Sequence, residues 1–476
     1  MSTVSKISDT ALVHCPIHGY IAFVASKSRE PNEQATEQDL IDSPWLQRLR
    51  QIHQLQTACW VFPSAEHTRF QHVLGTMFLA SRATEAFYDS LKSVCSECSE
   101  NVPSRGYVES LLRIAGLLHD VGHGPFGHFF DEHFLSQYGL THESLGSAII
   151  RDRLGETIRG IRRNPYSHLL KDETLDPEEV CFLIVRPQNT QDDQARPLWL
   201  RLLRTLFCGV YTVDNMDFVL RDAYMSGYNT RMVDIDRLFY YSFFTEKGLT
   251  IDERGLSSLV QFLSARGELF RTIYFHRTVR AVDISLADLF LESREYFLPG
   301  NPLECLDEYL DFTEWSLQVR TTVEWSRSSD TKLQALSKRW RQVFARQLPW
   351  RTAAERTLFY DTRREEKLSV FADAHMLEER FRDALPATMR ELPLRFDLAR
   401  HTYRPGTVGP AAMQNFVMET KTGTLRQLND EEIVQKLPFI STICRVYAND
   451  VENDRLLNET MDSLLRETQL DDATNI

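Results

Sequence analysis

Residues 116–131 read GLLHDVGHGPFGHFFD. The stretch holds three histidines and two aspartates within sixteen positions: His119, Asp120, His123, His128 and Asp131. Imidazole and carboxylate groups bind borderline or hard divalent cations, and imidazole also transfers protons near neutral pH. Eight of the fourteen histidines of the chain lie between His53 and His142. A packed core has no use for so many imidazoles, so the stretch indicates a metal-assisted hydrolase.

The composition is that of an ordinary globular chain. Its 476 residues, 42% apolar and 25% charged, suffice for one large domain or for a core with a second lobe. No apolar run approaches the roughly 20 residues that a membrane span needs, and no charged leader precedes an apolar block at the N-terminus. Eight scattered cysteines are typical of reduced thiols, and Cys95 and Cys98 have no partner pair at zinc-finger spacing. We therefore expect a cytoplasmic protein without a membrane partner.

The charge balance bears on the partners of the chain. The formal net charge of −13 argues against broad, non-specific binding of nucleic acid. A local basic pocket stays open, because arginine outnumbers lysine and its planar fork suits phosphate recognition. Nucleic acid is thus a partner that the sequence allows but does not support.

Apolar residues at helical spacing predict a mainly α-helical chain. In the first predicted helix, Ser43 fits an N-cap and Pro44 fits the first helical position. Residues 1–30 are predicted to be extended around a turn at 16–19, and residues 188–197 to form a surface loop. The predicted helices cover residues 43–55, 70–94, 107–120, 143–154, 177–185, 199–208, 212–226, 233–243, 254–292, 303–347 and 364–382.

The pattern changes from helical to mixed near the C-terminus. Residues 415–420 and 442–447 are predicted to be strands that flank a short helix at 430–436. The predicted fold class is therefore mainly α, a helical core with a small mixed α/β C-terminal lobe. We expect the core at residues 1–300, the lobe at 301–466 and a flexible tail at 467–476.

The His119–Asp120 pair is the first part of a candidate metal site. On a helix these neighbours diverge by about 100° and approach one ion from different sides. Two more ligands must come from elsewhere, and His72 and Asp214 are candidates, with Asp217 as an alternative to Asp214 on the same segment. Two imidazoles and two carboxylates would leave positions open for water or phosphate, as a catalytic metal requires.

The order His72, His119-Asp120, Asp214 resembles that of the HD-domain metal phosphohydrolases. The frame His-Asp-x-Gly-His-x-Pro-Phe-x-His is similar to that of the branch that hydrolyses deoxynucleoside triphosphates (dNTPs). The likeness runs from about residue 16 to residue 447, and further matching segments are 42–55, 61–63, 69–72, 214–222, 266–277 and 443–447. It implies an HD-domain core followed by a regulatory and oligomerisation lobe. Because the region begins near Met1, we expect no sterile-alpha-motif domain before it.

The resemblance implies a metal-dependent dNTP triphosphohydrolase. The implied ligands of the divalent cation are His72, His119, Asp120 and Asp214. Mixed nitrogen and oxygen ligation admits Mn, Fe, Mg, Zn or Ni, so the identity of the metal stays open. In this branch, an activated water attacks the α-phosphorus of the dNTP, and deoxynucleoside and intact triphosphate leave.

The resemblance also assigns the proton-transfer residues. His128 is the implied general acid, and Asp131 orients it. His123 and His142 are implied to contact the α-phosphate. His142 has an alternative role, because it also fits a capping position beside Glu143 at the start of its helix.

A nucleotide pocket is implied as well. Arg69 and Arg266 would contact phosphates, because arginine forms forked hydrogen bonds. Gln54 and Asp222 would bind the 3′-hydroxyl group. Leu55 and Tyr274 would exclude a 2′-hydroxyl group, although core packing is an alternative role for both. The complete implied substrate set is Gln54, Leu55, Arg69, Phe218, Asp222, Arg266, Tyr274 and His276.

Three positions depart from the pattern of this branch. Asn215 stands where a lysine reaches the phosphates, and Phe218 stands where a tyrosine is found. Gln56 replaces a glycine beside the sugar. Either neighbouring arginines compensate for the missing cation, or the preferred ligand carries fewer phosphates.

Regulation by nucleotides follows from the same resemblance. Asp42, Gln47 and Arg50 match guanine-reading residues, and their donors and acceptors suit a guanine edge. Ordinary helix salt bridges are the alternative role for this group. The implied effector set is Asp42, Gln47, Arg50, Val61, Phe62, Phe70, Arg254, Arg277 and Arg445. We therefore expect a GTP or dNTP effector and a homo-oligomer, a dimer or a tetramer.

Two alternative functions stay open. The first keeps the metal chemistry but changes the substrate, as in an HD-type nucleotide phosphatase or phosphodiesterase that acts on another phosphate ester. The second is a non-catalytic regulator that binds nucleotides. The complete set of implied ligands and proton-transfer histidines argues against the second.

Overall fold

The computed structural model describes residues 9–26, 34–187, 195–228, 233–404 and 416–473, and these are mainly helical. Contacts divide the chain into two units, each built from several segments. Unit 1 comprises Met1–Phe262, Arg294–Val319 and Pro405–Glu431, and unit 2 comprises Leu263–Ser293, Arg320–Arg404 and Glu432–Ile476. The sequence divided the chain linearly at residues 300 and 466, and those boundaries stay a prediction.

The helices follow one another as short and long elements along the chain. They are α1 (Glu37–Ile41), α2 (Pro44–Gln47), α3 (Arg69–Glu97), α4 (Arg105–Leu118), α5 (His128–His133), α6 (His142–Ile149), α7 (Gly155–Gly160), α8 (Pro177–Ile184), α9 (Leu198–Arg204), α10 (Val213–Ser226), α11 (Ile235–Tyr241), α12 (Leu256–Leu269), α13 (Arg277–Ser293), α14 (Leu306–Leu310), α15 (Glu314–Val319), α16 (Thr331–Phe344), α17 (Arg363–Leu368), α18 (Ala374–Ala384), α19 (Glu432–Gln435) and α20 (Asp454–Ala473). None of the described helices is both long and apolar enough to cross a membrane.

Nine strands form three small sheets in the described residues. They are β1 (Thr10–Cys15), β2 (Gly19–Val24), β3 (Ser242–Thr245), β4 (Gly248–Asp252), β5 (Arg351–Tyr360), β6 (Leu394–Thr402), β7 (Phe416–Met418), β8 (Leu425–Gln427) and β9 (Ile440–Ala448). β1 pairs with β2, the order of the second sheet is β3-β4-β7-β8, and that of the third is β5-β9-β6. The predicted mainly α fold with small mixed parts is confirmed.

Capping residues explain several helix starts that the sequence predicted. Ser43 accepts a hydrogen bond from the backbone N–H of Leu46 at the start of α2. Thr68 and Gln71 form a reciprocal capping box at the start of α3, and Thr212 caps α10. The helix predicted at 43–55 is shorter, because α2 ends at Gln47 and a 3₁₀ helix follows over Arg48–Gln51.

Two sequence predictions were wrong in their extent. The helix predicted at 233–243 ends at Tyr241, because the chain then turns into the β3–β4 hairpin. The helix predicted at 303–347 is interrupted, because the Thr313 hydroxyl accepts from the N–H of Ser316 and starts α15 anew. α20 extends to Ala473, and the flexible tail at 467–476 stays a prediction. Most of the predicted loop at 188–197 lies outside the described residues.

The two predicted C-terminal strands belong to different units. β9 is the central strand of the sheet in unit 2, where it pairs with β5 and β6. β7 instead pairs in parallel with β4 in unit 1, from Thr250–Phe416 to Asp252–Met418. Asn415 lies outside the described residues. The sequence placed both strands in one lobe because pairing between distant segments leaves no local signal.

α3 is the central helix of unit 1, and it packs against α4 and α10. Gly75 permits the approach to α10, because a Cβ atom there would lie 1.9 Å from Oδ1 of Asp217. Gly116 on α4 would place a Cβ atom 3.0 Å from the backbone of Met77. Small residues at these crossings therefore set how closely the helices that carry the candidate site approach each other.

A buried ion pair joins four elements of unit 1. Arg113 on α4 donates to Glu37 on α1 through Nε at 2.5 Å and through Nη2 at 2.9 Å. The guanidinium also donates to Ser81 Oγ on α3 and to the carbonyl of Ala22 on β2. Glu37 accepts a further bond from the N–H of Val24. Both charged side chains are fully enclosed, so each depends on the other for its partner.

We expect Arg113→Met to lower the free energy of unfolding by about 3–5 kcal/mol, because it leaves the Glu37 carboxylate buried without its cation. The double variant Glu37→Gln/Arg113→Met should be more stable than the single variant. Urea denaturation followed by circular dichroism measures both changes.

The exposed pair Arg151–Glu178, whose side chains are 46% and 45% exposed, supplies the matched control. Arg151→Met should cost less than about 1 kcal/mol. If Arg113→Met and Arg151→Met lower the free energy of unfolding equally, the buried pair stabilises the fold no more than the exposed pair does.

Candidate metal centre and active site

The GLLHDVGHGPFGHFFD stretch forms a helix end, a tight loop and a helix start. α4 ends at Leu118, the loop covers residues 119–127, and α5 begins at His128. Phe126 and Gly127 both have positive φ, at 62° and 55°. A Cβ atom at Gly122 would lie 2.0 Å from the carbonyl oxygen of His142, so only glycine allows this approach. The glycines of the motif thus bring its histidines close to α6.

Arg48 and Tyr309 hold this loop through its backbone. The buried guanidinium of Arg48 donates from Nη1 to the carbonyl of His123 at 2.7 Å. It donates from Nη2 to the carbonyl of Phe312 at 2.9 Å. The Tyr309 hydroxyl donates to the carbonyl of Gly122 at 2.7 Å. Residues far apart in sequence therefore fix the course of the loop.

His72, His119 and Asp214 converge on one point. One ligand atom from each side chain lies within 4.8 Å of the other two. The two Nε2 atoms are 3.2 Å apart, and Oδ1 of Asp214 lies 3.1 Å from Nε2 of His72 and 3.7 Å from Nε2 of His119. These residues come from α3, the end of α4 and α10.

The other ring nitrogen of each histidine has an oxygen partner. Nδ1 of His72 lies 2.7 Å from Oδ2 of Asp217, and Nδ1 of His119 lies 2.9 Å from the carbonyl oxygen of Gly116. Each Nδ1 therefore donates its proton, which leaves a lone pair on each Nε2 directed into the cluster. Two such imidazoles with a carboxylate fit the ligand set of a divalent cation.

Asp217 has a different position from Asp214. Its carboxylate lies behind the ring of His72, where it also contacts Nε2 of His18 at 2.6 Å and accepts two bonds from Arg221 at 2.8 Å. Burial works to raise the pKa of Asp217, but the charges and hydrogen bonds of Arg221, His18 and His72 hold it well below its usual value. Asp214 therefore belongs to the cluster, whereas Asp217 orients His72 from behind.

Asp120 lies beside the three-residue cluster. Its Oδ1 atom is 3.4 Å from Nε2 of His119, and its Oδ2 atom is 3.9 Å from Nε2 of His72. Arg69 donates to Oδ2 at 2.6 Å. Burial acts to raise the pKa of Asp120, yet the charge of Arg69, together with the neighbouring imidazoles, holds it far below its ordinary value. Asp120 is therefore an ionised carboxylate within reach of a cation, and Arg69 lies next to it.

His123, His128, Asp131 and His142 form a second cluster. Oδ2 of Asp131 lies 2.5 Å from Nδ1 of His142 and 3.4 Å from Nδ1 of His128. The ring of His123 stacks on that of His142, with centroids 3.8 Å apart. Nε2 of His123 lies 3.3 Å from Oδ1 of Asp120, which joins the two clusters.

The environments of these four side chains differ. His123 is fully buried, and burial together with the charges of Arg69 and His142 holds its pKa well below the ordinary value. The side chain of His128 is 60% exposed. Burial favours the protonated form of Asp131, but the neighbouring histidines outweigh it and lower its pKa. The cluster thus combines one buried neutral ring, one accessible ring and an ionised carboxylate.

The implied nucleotide residues of unit 1 lie in varied surroundings. Leu55 is only 4% exposed, and Phe218 is half-buried. Asp222 is also buried, and its Oδ1 lies 2.7 Å from Nε2 of His67. Oε1 of Gln54 is buried without a hydrogen bond among the described residues. Their substrate roles stay predictions.

Arg266, Tyr274, His276, Arg277 and Arg445 belong to unit 2. Arg266 donates to the carbonyl of Thr402 at 3.4 Å, and Tyr274 ends a π-helical turn. Arg445 is 2% exposed, and it donates to Glu355 and to the carbonyl of Phe275. Burial and the charges of Arg277 and Arg445 lower the pKa of His276. Their predicted nucleotide and effector roles are likewise not tested.

The implied guanine-reading residues contact each other or residues of α1. Gln47 donates to the carbonyl of Ile41, and Arg50 donates to Oε1 of Gln47 at 2.8 Å. The guanidinium of Arg50 lies 3.7 Å from the centre of the Phe70 ring. Asp42 accepts from Gln38.

The other effector candidates of unit 1 are Val61, Phe62 and Arg254. Val61 and Phe62 are half-buried. Arg254 pairs with Asp252. The effector role of all these residues stays a prediction.

Sequence reasoning missed several residues that the site uses. It considered Asp217 only as a ligand, and it gave no role to His18, Arg48 or Tyr309. Asp217 carried a signal, because it follows Asp214 by three positions and so lies on the same helix face. Arg48 and Tyr309 carried none, since their partners are backbone carbonyls far along the chain.

Comparison with known proteins agrees with this geometry. The HD domain family matches residues 69–185. An uncharacterized protein of Methanocaldococcus jannaschii is 29% identical over 251 residues, which are 52% of this chain and 44% of that protein. The deoxynucleoside triphosphate triphosphohydrolase SAMHD1 of Bos taurus is 29% identical over 322 residues, which are 62% of this chain and 50% of that protein. The chain thus spans about half the length of these curated relatives.

A solved structure supports the fold independently. The crystal structure of a hypothetical protein from Aquifex aeolicus matches with a TM-score of 0.64 at 22% identity, over 95% of this chain and all of that one. At this identity the likeness concerns the fold alone. The segment that matches the HD domain family, residues 69–185, contains His72, both residues of the His119–Asp120 pair and the second cluster. Residues 69–185 therefore match the HD domain family, and the fold of the chain is similar to that of the solved protein.

Proposed function

We propose that the chain is a metal-dependent dNTP triphosphohydrolase that releases deoxynucleoside and triphosphate. The observation that carries the proposal is that a cluster suited to a cation lies next to a cluster suited to proton transfer. The two clusters meet where Nε2 of His123 lies 3.3 Å from Oδ1 of Asp120. The names of similar proteins favour dNTPs as the substrate class.

His72, His119, Asp120 and Asp214 would hold the divalent cation, whose Lewis acidity neutralises phosphate charge and makes water a better nucleophile. Asp217 fixes the ring of His72 through its Nδ1 atom, so the ligand needs no reorientation when phosphate binds. Arg69 adds a positive charge beside Asp120, where it can pair with a phosphate oxygen.

The second cluster would supply the proton for the departing 5′-oxygen. His128 is the most exposed of its histidines and so is accessible to a leaving group. Asp131 accepts hydrogen bonds on its Oδ2 atom from Nδ1 atoms, which leaves Nε2 of His128 for the reacting oxygen. His123 and His142 are the candidates for contacts with the α-phosphate.

A second candidate function is hydrolysis of another nucleotide phosphate ester by the same metal chemistry. The observation that favours it is Asn215, whose amide donates to the carbonyl of Val210 at 3.4 Å. This position thus offers no cation to a triphosphate, and Phe218 offers no hydroxyl. The chemical identity of the products distinguishes the two functions.

The same proposal includes activation by nucleotides. Arg50, Gln47 and Phe70 form a connected group on unit 1 that could bind a purine base by hydrogen bonds and by stacking. A homo-oligomer that assembles with GTP or a dNTP follows from this part of the proposal.

Incubation with a dNTP and Mn²⁺ should yield deoxynucleoside and inorganic triphosphate in equal amounts. We expect Asp214→Asn to lower kcat/KM at least about a thousandfold, which corresponds to about 4 kcal/mol. The loss follows from removal of a charged ligand. Chromatography of the products and metal analysis of the purified variant measure both effects.

Asp307→Asn is the matched control, since the Asp307 side chain is 80% exposed and should leave activity unchanged. Release of inorganic phosphate or pyrophosphate in place of triphosphate would reject the triphosphohydrolase and favour the second function. Full activity of Asp214→Asn would remove Asp214 from the site.

His128→Ala should lower kcat on a dNTP by about 10²–10⁴-fold, because the 5′-oxygen then departs without a proton. The loss should be much smaller for a p-nitrophenyl phosphodiester, whose leaving group is stable as an anion. Steady-state kinetics on both substrates tests the assignment, with His375→Ala, 83% exposed, as the control. Equal losses on both substrates would contradict a role in leaving-group protonation.

Addition of GTP and dNTPs should shift the protein to a larger oligomer in sedimentation experiments. Arg50→Ala should abolish the shift, because it removes the guanidinium from Phe70 and Gln47. Arg153→Ala, an arginine that is 40% exposed, should retain it. A sedimentation coefficient that stays constant in all these mixtures would refute nucleotide-promoted assembly.

A further inference from the structure

We propose that His53, Cys59 and Glu66 form a second metal site, which selects a borderline cation of the zinc class. One ligand atom from each side chain lies within 4.8 Å of the other two. The three residues lie between α2 and α3, in a segment that does not contribute to the HD metal cluster of His72, His119 and Asp214. The inference does not depend on the proposed function.

The strongest argument is the way in which Glu314 holds His53. Oε2 of Glu314 lies 2.5 Å from Nδ1 of His53, and Oε1 accepts the backbone N–H of the same residue at 3.0 Å. The carboxylate is only 8% exposed. Nδ1 therefore carries the proton, and Nε2 is directed away from Glu314. A carboxylate that orients a histidine in this way is the usual outer partner of a metal ligand.

The distances suit a small cation. Nε2 of His53 lies 3.1 Å from Oε2 of Glu66. Zinc bonds of about 2.0–2.3 Å place tetrahedral ligand atoms roughly 3.5 Å apart, so only small side-chain adjustments are needed. The side chain of Glu66 is 63% exposed, which opens the site to solvent on one side. A water molecule can therefore complete the coordination.

The donor set determines the class of metal. One thiolate, one imidazole and one carboxylate favour zinc or cobalt over magnesium and calcium, which prefer oxygen alone. Cys59 is 3% exposed and is carried by the 3₁₀ helix Gln56–Trp60. Its thiol donates to the carbonyl of Gln56 at 3.1 Å, so it is held in place without a disulfide.

Without a cation, the same groups form an ion pair. Burial lowers the pKa of His53, but Glu314 and Glu66 outweigh it and raise the pKa to about 9. Burial raises the pKa of the Cys59 thiol, and the charges of both glutamates add to this effect. Binding of the cation would displace one proton from Nε2 of His53 and one from Sγ of Cys59.

Glu314 also connects this site to the loop at residues 119–127, which we call the HD loop. Its Oε1 atom accepts the N–H of Phe126 at 3.1 Å, next to Gly127 at the start of α5. A cation on Nε2 of His53 would take the place of the proton there and leave the Nδ1 bond to Glu314, which holds the loop, intact. The second site is thus a structural support for the first.

Cobalt absorption can test the site directly in the full chain after removal of metals with a chelator. Co²⁺ bound to a thiolate gives intense near-ultraviolet charge-transfer absorption, whereas the nitrogen and oxygen ligands of the HD cluster do not. We expect this absorption to saturate at about one equivalent of thiolate-bound cobalt and to disappear when Zn²⁺ but not Mg²⁺ is added. Cys59→Ser should abolish it, and Cys98→Ser, at the exposed cysteine, should retain it.

Glu66→Gln and Glu314→Gln supply a second measurement. Glu66→Gln changes an exposed side chain and should weaken cobalt binding at least tenfold. Glu314→Gln should weaken it by about 10–100-fold through loss of the outer carboxylate. Absence of the charge-transfer absorption at millimolar Co²⁺, or its persistence in Cys59→Ser, would overturn the proposal. If Cys59→Ser fails to fold by circular dichroism, unchanged cobalt affinity in Glu66→Gln would overturn it instead.

Discussion

The carboxylate of Asp217 is the constraint on which the candidate metal centre depends. It is completely buried, and it connects the turn after β1, the start of α3 and its own helix α10 through His18, His72 and Arg221. A buried carboxylate is tolerated only when charged or polar partners satisfy it. Gly75 makes room for it, since any side chain at that position would overlap its Oδ1 atom. The orientation of His72 is therefore a consequence of packing in three elements.

The HD loop is likewise held by side chains that lie outside the candidate metal centre and bond to its backbone. Arg48 satisfies carbonyl oxygens on the loop and on residues 309–312, and Tyr309 and Glu314 bond the loop at Gly122 and Phe126. Each of these polar groups is buried, so each bond is expensive to leave unmade. The histidines can thus keep their positions although glycines make the local backbone permissive.

The sequence predicted the parts of this protein that are encoded locally. The motif at residues 116–131, the helix start at Ser43 and the strand at 442–447 depend on neighbours within a few positions, and residue pattern or capping chemistry reveals them. The pairing of β7 with β4, by contrast, joins segments about 165 positions apart and depends on contacts that only the folded chain creates. The same reason explains why strands β5 and β6 were not predicted. The helix predicted at 303–347 was too long for a local reason, the hydrogen bond from Ser316 to Thr313 that starts α15.

For the candidate site, the sequence predicted the candidate ligands but not the residues that orient them. Side-chain types and the family resemblance indicated His72, His119, Asp120 and Asp214, and the structure brings all four near one another. The residues that orient them came from the structure alone. His18 lies in an unremarkable turn, and Glu314 lies nearly two hundred positions after the motif that it supports. Their partners are a side chain and a backbone group that no local pattern identifies.

Gly127 limits which substitutions this region can accept. Its φ of 55° excludes most side chains, and a Cβ atom there would also lie 2.2 Å from Nη2 of Arg69, the residue that pairs with Asp120. One position is thus restricted twice, by its own backbone and by an arginine from another helix. Natural variation should therefore bypass this residue and accumulate at Glu132, an exposed position of α5 outside the cluster, where a new side chain meets solvent.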